Sequence, residues 1–155
     1  MLFDMSKEPG KDVVRAWTRL MRAQQTALAQ IETALKQANL PPLAWYDVLL
    51  ELDRAGPDGL RPFALERALL LPQYGLSRLL DRIEAAGYLE RRPCPEDGRG
   101  QVVAISRSGK ALRRRMWPVY ARALTTAVGD RVTAAEAKNL AALLDKLLDD
   151  PAGAD

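Results

Sequence analysis

Apolar residues recur at helical spacing along most of this chain. In residues 11–38, Val14, Trp17, Leu20 or Met21, Leu28, Ile31 and Leu35 fall on one stripe, which predicts one long helix. "NLPPL" stops it, because Pro41 and Pro42 cannot continue a helix although Pro42 can begin the next. A second helix is predicted over about 43–54, burying Leu43, Tyr46, Leu49 or Leu50, and Leu52, and ending at "AGPDG". Two shorter helices follow, separated by a turn at Leu71-Pro72. One spans about 63–69 and packs through Phe63 and Leu65 or Leu69. The other spans about 73–86, with Leu76, Leu79 or Leu80, and Ile83 turned toward a core.

Past Gly87, placed where a left-handed helix cap is wanted, the pattern changes. Residues 89–93 and 101–105 read as two strands around a turn broken by Pro93, Pro95, Gly98 and Gly100. Ser106 or Ser108 caps a long helix over about 108–128, which Pro118 should kink. Thr133 and Glu136 form a capping box ahead of a last helix striped by Leu140, Leu143 or Leu144, and Leu147. The fold class is therefore mainly α with a small β-hairpin. A chain of 155 residues suits one domain over 1–155, with a winged helix-turn-helix at 43–107 between helices at 11–38 and 108–150.

Composition excludes more than it specifies. The chain has no histidine and one cysteine, Cys94. It thus lacks the commonest general base and transition-metal ligand, and it has no internal disulfide, which fits a cytoplasmic setting. No glycine-rich phosphate loop, paired-cysteine metal spacing or apolar run of membrane length occurs, and the N-terminus does not read as a secretory signal. No cofactor, metal, membrane partner or enzymatic activity is expected.

Charge is unevenly placed. Residues 1–59 hold seven Lys/Arg against eight Asp/Glu, residues 60–115 hold twelve against six, and residues 116–155 hold four against six. A basic middle between near-neutral ends predicts one surface facing a polyanion. With its leucines turned inward, the second short helix leaves Gln73, Tyr74, Ser77, Arg78 and Arg82 to hydrogen-bond base edges or phosphates in a major groove. Arg99, at the hairpin tip between two glycines, suits a narrow minor groove, and Asp97 could hold that guanidinium or brace the turn.

The stretch "LSRLLDRIEAAGYLERRPCPEDGRGQVVAISRSGKAL", with its wing Asp97-x-Arg99, resembles the MarR family of bacterial transcriptional regulators. The likeness extends from "PPLAWYDVLLEL" to the C-terminal helix. It implies a homodimeric winged-helix protein bound to a pseudo-palindromic double-stranded DNA operator, with a small-molecule effector or an oxidant often releasing it. It also implies that the wing arginine goes to the minor groove. "PQY" before Gly75 stands where many members carry serines and threonines.

The end helices carry apolar stripes wider than a small DNA-binding head can cover, so they are the expected dimerisation elements. Trp17, Trp45, Tyr46 and Trp117 are candidates for a ligand pocket, although aromatics at helical spacing more often fill a core. Cys94 lies beside Arg91, Arg92 and Arg99 but also Glu96 and Asp97, and is expected to be incidental. The expected function is that of a DNA-binding transcriptional repressor. A winged helix that uses its basic face on RNA or an acidic protein is the alternative.

Overall fold

The computed structural model describes residues 7–94, 96 and 100–148. The elements follow in the order α1 (Lys11–Gln37), α2 (Leu43–Ala55), α3 (Pro62–Ala68), α4 (Leu76–Ala85), β1 (Leu89–Pro93), β2 (Gln101–Ile105), α5 (Arg107–Ala127) and α6 (Ala134–Leu148). Short 3-10 turns at Gly56–Asp58 and Gly129–Arg131 follow α2 and α5. The chain divides into two compact units, Met1–Ile31 with Ala123–Asp155, and Glu32–Arg122.

The second unit holds most of the core. Leu35, Leu49, Leu52, Leu65, Leu80, Ile83, Leu112 and Met116 are fully buried there. Cutting any of the core leucines to alanine would cost about 2–5 kcal/mol, part transfer and part cavity. Leu79, Leu80 and Ile83 supply the inner face of α4, as its heptad-like spacing predicted. Phe63 is a correction: it is 61% exposed, and α3 packs through Leu65. A helix of seven residues offers one full inward turn, and Leu65 takes it.

Gly87 ends α4 as expected. Its φ of +83° is left-handed, the Gly87 N–H reaches the Glu84 carbonyl at 2.8 Å, and the Tyr88 N–H reaches that of Ile83 at 3.1 Å. Those two bonds satisfy carbonyls the helix would otherwise orphan. The chain then enters β1, which pairs antiparallel with β2 from Leu89↔Ile105 to Pro93↔Gln101. Leu60 adds an isolated bridge to Val103, each residue's N–H donating to the other's carbonyl at 2.9 and 2.8 Å. This bridge ties the segment ahead of α3 to the hairpin.

Ser106 is the residue that caps α5. Its Oγ accepts the Gly109 N–H at 3.0 Å, while its hydroxyl donates to the Gly87 carbonyl at 2.6 Å. Helix α5 runs unbroken through Pro118. In the other unit the capping box forms as read: Glu136 N–H to Thr133 Oγ1 at 3.1 Å and Thr133 N–H to Glu136 Oε1 at 3.0 Å. Helix α6 buries no residue, and Leu140, Leu143 and Leu147 stand exposed. The first turns of α1 likewise expose Val13, Val14, Trp17 and Met21.

Candidate nucleic-acid interface

Helix α4 presents Ser77, Arg78, Asp81 and Arg82 on the face opposite its buried leucines, all of them exposed. Its N-cap is Gly75, with no side-chain cap. The first-turn N–H groups of α4 therefore have no intrahelical acceptor and carry the positive end of the helix dipole.

Gln73 and Tyr74 need a correction. They precede α4 in the loop at 69–75 instead of opening the helix. Tyr74 is fully exposed there and Gln73 half-buried. The reason is a bond from a distant residue. The buried carboxylate of Asp47, on α2, accepts the N–H of Leu70 at 3.1 Å (Oδ1) and of Leu71 at 2.8 Å (Oδ2). Those bonds hold the chain where it bends at Leu70 and Leu71 after α3, and the helix starts only after Gly75. Sequence reasoning passed over Asp47. The signal was present, since an acid stands alone among Trp45, Tyr46, Val48 and Leu49, where only a residue with an internal partner is stable.

The hairpin is fastened to α4. Arg91 on β1 reaches Asp81 at 2.6 Å and Glu84 at 3.6 Å. Arg92 donates to the Pro57 carbonyl, and Arg113 on α5 pairs with Asp53 on α2 at 2.7 Å. Arg91, Arg92 and Arg113 thus hold elements of this unit together. Arg78 and Arg82 remain on the open face of α4. Asp97 and Arg99 lie outside the described residues.

Cys94 is buried, and its Sγ receives a hydrogen bond from Arg61 Nη2 at 3.0 Å. Its own N–H donates to the Gly100 carbonyl at 2.8 Å, closing the base of the wing.

The aromatic candidates separate. Trp17 is 59% exposed in the first unit. Trp45 packs edge-on against Tyr88, with centroids 6.1 Å apart. Tyr46 stacks on Trp117 at 6.2 Å and meets Tyr120 edge-on at 5.2 Å. Beside this cluster lies a cavity of about 460 Å³ lined by Leu43, Tyr46, Asp47, Leu50, Glu51, Arg54, Ala68, Leu69, Leu70, Leu71 and Tyr120. Burial first, then the neighbouring Tyr46 and Asp47, push the Tyr120 phenol above its ordinary 10.0, so it is neutral at pH 7.

Helix, loop, exposed helix and a hairpin pinned to that helix define a winged helix-turn-helix protein. Residues 38–100 match the model of the MarR family. The chain is 32% identical over 87 residues to the multiple antibiotic resistance protein MarR of Escherichia coli (strain K12), a match covering 56% of this chain and 60% of that one. It therefore spans three-fifths of the length of that relative. The fold matches a MarR family transcriptional regulator from Streptomyces coelicolor solved in complex with DNA, with a TM-score of 0.82 and 24% identity over 94% of this chain and 91% of that one. It also matches Bordetella bronchiseptica BpsR, whose DNA binding is regulated by 6-hydroxynicotinic acid, with a TM-score of 0.76 and 23% identity over 97% and 99%. Over residues 38–100 the chain is thus similar to the MarR family, and its fold is the one that solved MarR family regulators share.

Proposed function

We infer that the protein is a sequence-specific DNA-binding transcriptional regulator, a repressor, which binds a pseudo-palindromic operator as a homodimer and is released by a small ligand. The observation that carries this reading is the open face of α4. Ser77, Arg78 and Arg82 stand exposed there, the helix N-terminus is uncapped by any side chain, and Arg91 locks the wing alongside. Serine and arginine side chains on such a face match base edges and phosphates, and a helix of this width fits the major groove. Gln73 and Tyr74, just ahead of the helix, are assigned to the flanking DNA backbone. Arg99 on the wing is assigned to the minor groove with Asp97 as its brace.

Exposed leucines on α6 and the exposed Val14, Trp17 and Met21 of α1 support the dimer. A second copy would cover that apolar surface and set two recognition helices about one DNA turn apart. The ligand reading is supported by the cavity against Tyr46 and by the ligand-regulated Bordetella neighbour. Retention of one promoter fragment over random duplex at physiological salt tests the reading. Equal affinity for both duplexes, or a preference for RNA, overturns it.

A further inference from the structure

We propose that the cavity between α2, the loop at 69–75 and Tyr120 is a site for an organic amine, an ammonium group carried on a compact aromatic or aliphatic body. The proposal rests on the reading that a small ligand acts on this protein, and it specifies the chemistry of that ligand. A volume of about 460 Å³ is within the range of small-molecule sites, roughly 300–1,000 Å³. Leu50, Leu71 and the two tyrosines, edge-to-face at 5.2 Å, make a wall for an apolar body. Aromatic faces also attract ammonium groups.

The polar lining is acidic. Asp47 and Glu51 are one helical turn apart on α2 and both line the cavity. One cation, Arg54, is among the lining residues. It is paired with Glu51 at 2.9 Å, and its side chain is 67% exposed, so solvent screens much of its charge. Asp47 is buried, and the two N–H groups it accepts are neutral dipoles that leave its charge uncancelled. A carboxylate ligand would add a third negative charge here, whereas an ammonium would supply the missing positive one.

The site is wired to the DNA-reading helix through one residue. Asp47 lines the cavity and also holds Leu70 and Leu71 in the loop that leads into α4. An ammonium drawn to Asp47 shares the acceptor that those two N–H groups use. Occupancy is therefore felt at the start of α4.

Three ligands of one shape and different charge test this: phenethylamine, 2-phenylethanol and 3-phenylpropionate, titrated into the full-length protein by calorimetry and by the fluorescence of Trp117, which stacks on Tyr46. Phenethylamine should bind about tenfold or more tighter than the carboxylate. Glu51→Gln should weaken it several-fold. Arg54→Ala, which frees Glu51 from its ion pair, should strengthen it. Carboxylate binding as tight as the amine, or an unchanged amine affinity in both variants, overturns the assignment and leaves release by another ligand class standing. Amine binding with that charge dependence but no effect on operator affinity does the reverse: the site stands and release through it falls.

Discussion

Asp47 Oδ2 accepts the backbone N–H of Leu71 at 2.8 Å, twenty-four residues along the chain. With the Leu70 bond on the other oxygen, it closes the helix-turn-helix from behind. A hydrogen bond to a charged group contributes about 1.5–3 kcal/mol. Asp47→Ala should therefore destabilise the fold by about that much or more, since two N–H groups each lose their acceptor oxygen. Asp47→Asn keeps one acceptor oxygen and should lose less. Denaturant midpoints for the two variants check the order; an alanine variant as stable as the parent would reject this role.

The dimer assignment has a direct test on α6. Leu140→Glu with Leu144→Glu places charge on the apolar stripe, where an interface would have to bury it unpaired. Light scattering should report a monomer, and operator affinity should fall because two half-sites no longer act together. A monomer that binds operator as tightly as the parent would remove the dimer from the mechanism.

Helix α6 should also respond to acid. The Thr133 N–H and hydroxyl hold the Glu136 carboxyl below its ordinary 4.5. A carboxyl lowered by folding stabilises the folded state above its ordinary value, and that contribution fades as pH falls through the lower folded value. The parent should lose α6 helicity on acidification below about pH 4.5. Glu136→Gln should show less of this loss, measured by circular dichroism against pH. An identical acid profile in both proteins would rule out this titration.

Cys94→Ser should leave operator binding and any response to peroxide unchanged. The thiol is buried at the base of the wing against Arg61, and burial restricts oxidant access. Loss of a peroxide response on this substitution would make Cys94 a sensor.

Short-range rules made much of this fold legible. Gly87 needed a left-handed cap, Ser106 and Thr133 announced helix starts, and the prolines and glycines between residues 93 and 100 marked the turn between strands whose ends, 89–93 and 101–105, coincide with those found. What local pattern missed came from distance. The start of α4 moved from 73 to 76 because Asp47 holds the preceding loop. Spacing put Phe63 in the core together with Leu65 or Leu69, and only packing against the rest of the unit leaves Phe63 outside and Leu65 buried. The open face of α4 was readable for Ser77, Arg78 and Arg82, since burial of Leu79, Leu80 and Ile83 fixes the opposite side.

The wing offers a comparison that charge alone does not predict. Arg91 and Arg99 carry the same charge a few residues apart. Arg91 is bound to Asp81 and Glu84, so it holds the hairpin to α4 and has little charge to spare for DNA. Arg91→Ala should loosen that link, lower thermal stability and weaken specific and random duplexes by similar factors. Arg99→Ala, if the residue enters a minor groove, should cost about 1–3 kcal/mol of operator binding per contact, leave the melting temperature alone, and depend on flanking A/T content. Arg78→Ala should relax discrimination at one position per half-site if it reads a base, or weaken all sequences alike if it touches phosphate. Measuring the arginine variants on operator and random duplex at one salt concentration, with melting curves beside them, separates these roles. If Arg99→Ala and Arg91→Ala lose equally on both duplexes, the wing acts only as a basic loop, and the minor-groove assignment goes with it.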